Sequence, residues 1–187
     1  GGVPENFKNY FVIVFDKPFT YKSSFNGKEL SEGVLSQTAD HVGAVIGFKT
    51  AKGEKVHARI ASSFISPEQA ELNLKELGND NLETLAQKGQ QAWNEMLGRI
   101  EVEGGSLDQY RMFYSCLYRS LLFPRKFYEI DAAGKVMHYS PTTGEVLPGY
   151  YYTDTGVWDT FRCLFPLLNL MYPSVNKEIQ EGYLNAY

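Results

Sequence analysis

Cysteine is scarce. There are two in 187 residues, with no CxxC pair and no Cys/His cluster, which leaves no basis for a disulfide framework or a zinc ribbon. Cys116 and Cys163 each stand alone in apolar helical surroundings, so both are expected as buried free thiols. Histidine is equally thin: His41, His57 and His138 lie far apart on strand-like or hairpin segments. None has an acid or a Cys at ligand spacing, so each reads as a surface or satisfied strand residue rather than a metal ligand. A basic excess is missing too. The 18 Lys and Arg against 22 Asp and Glu leave a formal charge of −4, and nucleic acid is not an expected partner. No apolar run approaches the ~18–20 residues of a membrane span, and the start GGVPENF has neither the basic region nor the apolar stretch of a signal peptide. A GxSxG elbow, a phosphate loop and a dinucleotide fingerprint are all lacking, which removes support for phosphate-cofactor chemistry.

What is present is a soluble-type composition, 43% hydrophobic and 21% charged, sufficient for one or two domains with a sizeable core. Residues 1–65 read as β: YFVIVFDKPF, HVGAVIGFKT and KVHARIASSFI are rich in β-branched and aromatic residues. Asn26-Gly27 is a strong turn signal, and Ala51-Lys52-Gly53-Glu54 has hairpin length between the last two runs. An antiparallel sheet, one layer of a sandwich, is the simplest arrangement. At Ser66 the texture changes. Ser66-Pro67-Glu68-Gln69 is a capping box with Pro at the first helical position, and a second helix follows from Leu82 to Ile100. These make residues 66–105 linker helices. Ser106-Leu107-Asp108-Gln109 opens a third helix that Pro124 stops, and 106–187 reads as the start of a helical domain. Within it, 127–139 forms a hairpin, the chain is helical from Val157 to Leu170 with an interruption expected at Pro166, and a last helix begins after Pro173. That helix reaches Tyr187 without a cap, which leads to the expectation of a longer polypeptide.

The stretch most concentrated in chemistry is YYTDTGVWDTFR. Asp154 or Thr155 can cap the following helix, Gly156 permits a tight turn, and Asp159 suits the positive end of the helix dipole, with Arg162 as its i+3 neighbour. Alternatively, Tyr150, Tyr151, Tyr152, Trp158 and Phe161 crowd one helix start beside an acid and a guanidinium, a combination suited to sugar faces and vicinal hydroxyls. Both readings stand on the residues alone. Paired carboxylates would be needed for glycoside hydrolysis. Glu129, Asp131, Glu145, Asp154 and Asp159 are candidates, but no spacing singles out a pair; Asp131 reads as a turn residue and Glu145 as a loop residue.

The runs GAVIGFKTAKGEKVHARIASSFISPEQAELNLKEL, YRMFYSCLYRSLLFPRKF and YYTDTGVWDTFRCLFPLLNLMYPS resemble the α-mannosidases of glycoside hydrolase family 92, continuously from about His41 onward. The resemblance implies an α+β multidomain fold, in which an antiparallel β-sandwich portion is followed by linker helices and the first helices of an (α/α)6 barrel. It also implies a calcium-dependent, exo-acting, inverting α-mannosidase, mostly bacterial and exported, that removes terminal mannose from glycans with α-1,2 linkages foremost. By the same resemblance Trp158 and Asp159 belong to the mannose pocket, Trp158 as an apolar wall and Asp159 as an acceptor of sugar hydroxyls. Arg162 accompanies them as a sugar contact or as the partner that orients Asp159. The general acid, the base and most calcium ligands are expected, by resemblance, in barrel segments well downstream of this motif, so no catalytic or metal-binding residue is assigned here. The isolated chain is expected to be inactive, with the remainder of the enzyme as its partner. A non-catalytic carbohydrate-binding or assembly module is the alternative.

Overall fold

The computed structural model describes residues 6–25 and 29–186. It divides into two compact units, Ile13–Ile60 as one and Gly1–Val12 with Ala61–Tyr187 as the other. Antiparallel sheets come first and helices follow, as the α+β reading requires.

In the smaller unit, β2 (Thr20–Phe25), β3 (Glu29–Glu32) and β4 (Val42–Gly47) form an antiparallel sheet in the order β3-β2-β4. Lys22 lies opposite Glu32 and forms an ion pair with it. Ser23, fully buried opposite Ala44 and Ser31, donates its hydroxyl to the Ser31 carbonyl at 3.3 Å. The Asn26-Gly27 turn lies outside the described residues. Phe15, Phe19 and Phe48 pack edge to face with centroids 5.4, 5.1 and 6.1 Å apart, the geometry their ring quadrupoles favour.

Strands β1 (Tyr10–Phe15) and β5 (Ala58–Ser63) pair with each other, which corrects one expectation. The Ala51–Glu54 turn forms, with the Glu54 N–H on the Ala51 carbonyl at 3.1 Å, yet it does not join β4 to β5 as a hairpin. The polar groups just ahead of β5 are already committed to the end of β1. Asp16 N–H donates to the His57 carbonyl at 3.1 Å, and the Asp16 carboxylate accepts the His57 N–H at 3.0 Å and faces ring Nδ1 at 2.7 Å. The His57 backbone N–H is the main reason the Asp16 carboxyl sits below the usual carboxylate range.

In the larger unit, Ser66 caps α1 (Pro67–Leu74) by accepting the Gln69 N–H at 3.1 Å, but the reciprocal half of the expected box is not made, because the Ser66 N–H donates to Ser63 Oγ at 3.3 Å. Asn81 caps α2 (Leu82–Leu97), and a reciprocal Ser106–Gln109 box opens α3 (Leu107–Ser120). Glu129, one of the candidate catalytic carboxylates, is a staple: its two oxygens accept Phe64 N–H at 2.8 Å and Asn73 Nδ2 at 2.7 Å, binding the end of β5, α1 and the hairpin together. Strand β6 (Arg125–Lys126) pairs with β10 (Tyr152–Thr153), while β7 (Glu129–Ile130), β8 (Val136–Tyr139) and β9 (Val146–Pro148) form a meander. Asp131 takes Ala133 and Lys135 N–H groups on one oxygen, each at 2.8 Å, and is the turn residue expected.

The helices α4 (Val157–Thr160), α5 (Leu164–Met171) and α6 (Pro173–Asn185) complete the chain. The interruption expected at Pro166 comes upstream, at 161–163. Proline lacks the N–H a helix interior needs, so the helix restarts where Pro166 falls in its first turn. The core gathers Tyr152, Leu168, Tyr172 and Ile179, with Met96 and Leu121 packed against them. Tyr172 donates its hydroxyl to the Met96 carbonyl at 3.0 Å, and Arg99 caps its ring face while donating to the Met171 carbonyl at 2.8 Å. These contacts tie α2 to α5 and α6. The thiols depart from expectation: Cys116 and Cys163 are exposed. Leu117 is the α3 residue that turns inward, which leaves its neighbour Cys116 on the outer side, and Cys163 lies in the break before α5 rather than inside a continuous helix.

Gly182 sits in α6, where alanine would ordinarily favour the helix by about 1 kcal/mol. A Cβ there would come within 2.8 Å of the Tyr152 ring and 3.0 Å of the Tyr152 backbone nitrogen. Gly182→Ala is therefore expected to destabilise the protein by about 1–3 kcal/mol through overpacking. An unchanged urea midpoint would show that β10 moves aside freely.

Candidate functional site: an exposed aromatic and acidic helix start

The three tyrosines that lead into the motif separate from the residues that follow them. Tyr150 packs edge to face on Tyr128 at 5.0 Å, and its carbonyl accepts Asn185 Nδ2 at 2.8 Å. Tyr151 stacks on His138 at 4.9 Å. Tyr152 is 4% exposed and donates its hydroxyl to Glu178 Oε2 at 3.1 Å. The expected aromatic crowd thus thins to Trp158 and Phe161. His138 itself is buried, with Nδ1 2.9 Å from the Gly149 carbonyl; a nitrogen facing a carbonyl must carry the proton.

These tyrosines, together with Tyr172 and Tyr183, hold their protons above the ordinary tyrosine value. For Tyr150 the Glu178 carboxylate is the leading cause, and for the other four it is burial. A hydroxyl whose folded value is raised contributes stability fully below the unfolded value near 10. That contribution is lost as pH climbs from there toward the folded value, because unfolding then releases protons. Stability is expected to fall steeply above pH ~10, with buried Tyr152 and Tyr172 each contributing up to about 1.4 kcal/mol per pH unit. Urea titrations read beside tyrosinate absorbance will test this, and a flat profile well above that pH would contradict it.

At the start of α4 the expected caps are not used. Asp154 adopts φ 64°, in the left-handed region that Asp tolerates better than most residues. Its Oδ2 accepts Arg125 Nε at 2.5 Å, so the carboxylate faces β6 instead of the helix. The N-cap is Gly156, without a side-chain cap. Its carbonyl instead collects the N–H groups of Asp159 and Thr160 at 3.1 and 3.2 Å and the Thr160 hydroxyl at 2.8 Å.

This turn presents the motif outward. Trp158 is 78% exposed and Phe161 46%, with ring centroids 6.2 Å apart. The guanidinium of Arg162 lies over both rings, 5.9 Å from Trp158 and 5.2 Å from Phe161. It forms no ion pair with Asp159 among the described residues, so the orienting contact expected between them is absent and Arg162 instead extends the aromatic surface. Asp159 folds back over the helix start, where a Cβ on Gly156 would lie 2.8 Å from Oδ2. The glycine leaves room for that carboxylate near the positive helix end. Among the described residues no hydrogen bond or ion pair engages the Asp159 side chain, so both oxygens are available to hydroxyl donors. The surface can stack on the C–H face of a sugar ring and accept hydrogen bonds beside it.

No group of three or more His, Cys, Asp or Glu that could hold a metal comes together among the described residues. The described side chains do not assemble a calcium site. Among the candidate carboxylates, Glu129 and Asp131 are spent on backbone and amide groups and Asp154 on Arg125. One arrangement that sequence spacing missed is the Arg125–Asp154 pair, separated by 29 positions. Only the pairing of β6 with β10 brings it together.

Antiparallel sheets handing over to helices present an exposed aromatic–acid pair at a helix start, a surface with the chemistry to meet a sugar ring. The chain belongs to glycoside hydrolase family 92: the family's N-terminal domain matches residues 1–63 and its catalytic domain matches residues 69–187. Among solved structures it is similar to the inverting family 92 mannosidase of Bacteroides thetaiotaomicron VPI-5482, with 47% identity, a TM-score of 0.93, and coverage of 100% of this chain and 26% of that one. An α-mannosidase of the same family from Bacteroides thetaiotaomicron, in complex with mannoimidazole, shows 25% identity and a TM-score of 0.80 over 96% of this chain and 24% of that one. The family glycosyl hydrolase ccman5, at 22% identity and a TM-score of 0.81 over 93% of this chain and 23% of that one, shares the fold. The chain therefore spans about a quarter of the length of these relatives. No curated protein matches it significantly. No helix is long and apolar enough to cross a membrane among the described residues.

Proposed function

We propose that this chain is part of an exported, periplasmic or extracellular, exo-acting, inverting α-mannosidase that removes terminal α-1,2-linked mannose from glycans, and that it supplies one wall of the mannose pocket. The reading is carried by the exposed Trp158 and the unengaged Asp159 carboxylate, held at one helix start in a chain 47% identical to an inverting mannosidase. Trp158 stacks on the sugar face, Asp159 accepts its hydroxyls, and Arg162 contributes a sugar contact from above the same rings. Residues 66–105 act as the linker between the β domain and an (α/α)6 barrel that begins at 106.

Inversion needs a carboxylic acid to protonate the leaving oxygen and a carboxylate to activate water on the opposite face. Both are drawn from polypeptide outside residues 1–187, as are the ligands of any calcium ion that the complete enzyme binds. What this segment does in the reaction is bind and orient the terminal sugar. The test is turnover of an α-1,2-mannobioside by the complete enzyme with and without Asp159→Ala; equal kcat/KM would remove the site assignment.

A further inference from the structure

We propose a second carbohydrate-binding site in the larger unit, a cavity of about 500 Å3 walled by Phe64, Phe127 and Tyr151, which takes a neutral hexopyranose unit further along the glycan. It rests on the mannosidase reading above. Its size falls within the range of small-molecule sites, ~300–1,000 Å3.

The wall is a continuous aromatic array. Phe7 leans on Phe64 at 5.4 Å, Phe64 stacks on Phe127 at 4.1 Å, and Phe127 meets Tyr151 at 5.9 Å. The polar side is built by strand pairing, which sets Arg125 opposite Thr153 and Lys126 opposite Tyr152. Arg125, Lys126, Thr153 and Asp154 all line the cavity. Both Arg125 contacts fall on Oδ2 of Asp154, so Oδ1 and the remaining guanidinium N–H groups are left for a ligand.

Asp154 holds this carboxylate in place at φ 64°, a conformation that costs a non-glycine residue energy and that collects at binding sites. Charge decides the ligand class. Asp154 pairs with Arg125, and the Lys126 ammonium rests over the Tyr128 ring 5.5 Å from its centroid, so the two cations do not form the open cluster an anion requires, and the donors and acceptors on the rim disfavour a purely apolar occupant. Aromatic side chains beside paired donors and acceptors fit a pyranose.

The experiment uses the complete enzyme with α-1,2-mannotriose and a p-nitrophenyl α-mannoside. Phe7→Ala and Lys126→Ala change the cavity rim without touching Trp158, Asp159 or Arg162. Each is expected to weaken calorimetric binding of the mannotriose to the Asp159→Ala enzyme by about 3–10-fold. In the otherwise intact enzyme each should raise KM for mannotriose and leave kcat/KM for the aryl mannoside unchanged. Unchanged mannotriose affinity, with or without a fall in melting temperature, overturns the proposal and makes the cavity a packing surface. The two readings fail separately. An enzyme that turns over mannosides with Phe7-insensitive binding defeats this proposal alone, and Phe7-sensitive binding without turnover defeats the mannosidase reading alone. Absence of both binding and turnover defeats both.

Discussion

Asp159→Ala in the complete enzyme is expected to lower kcat/KM for an α-1,2-mannobioside by about 10²-fold or more, with the fold intact. A hydrogen bond to a charged acceptor contributes about 1.5–3 kcal/mol, and a carboxylate that takes two sugar hydroxyls loses both when truncated. Stability should move little because the Asp159 side chain has no partner among the described residues. Its favourable placement near the helix N-terminus accounts for about 0.3–1 kcal/mol. Asp159→Asn, which keeps an acceptor but loses the charge, should fall between alanine and wild type. Melting temperature measured beside turnover separates the outcomes, and a variant that loses activity only because it unfolds would not support a sugar contact.

Tyr152→Ala is expected to do the reverse, costing about 3–5 kcal/mol of stability because it empties a core position. Tyr152 is 4% exposed in the cluster with Leu168, Tyr172 and Ile179. Its hydroxyl and that of Tyr128 both donate to Glu178 Oε2, at 3.1 and 3.3 Å. Tyr152→Phe should therefore cost about 1 kcal/mol, since it removes one of two donors and keeps the ring. Urea unfolding of the three proteins measures this. If Tyr152→Ala kept the wild-type midpoint and instead lost mannoside affinity, the residue would belong to the sugar wall and its core assignment would fall.

Aspartate and tyrosine in one short stretch thus behave differently for a reason the order of residues does not disclose. YYTDTGVWDTFR reads as a single aromatic cluster when faces are not known. In the structure β10 turns Tyr152 inward onto α6, the left-handed Asp154 redirects the chain, and Gly156 presents Trp158 and Asp159 to solvent. The Ser66 cap, the Ser106 capping box, the hairpin through Asp131 and the switch from β to helix were legible because each depends on residues within a few positions of one another. The partner of β5 was not, because a hairpin-length turn does not choose between β4 and β1. That choice rests on Asp16 and His57, 41 positions apart. Exposure of Cys116 and Cys163 was misread for a related reason: an apolar neighbourhood in sequence does not say which side of a helix a residue occupies.

By itself the sequence determined the order of β and helical parts, the family, and the Trp158–Asp159 pair at a helix start, since local propensity and a contiguous motif carry all three. Tertiary structure alone decided which tyrosines fill the core, that Glu129 joins the end of β5 to α1 and the hairpin, and that Arg125 meets Asp154. Each of those outcomes depends on groups distant in the chain meeting at hydrogen-bond range, and only the packed fold brings them there.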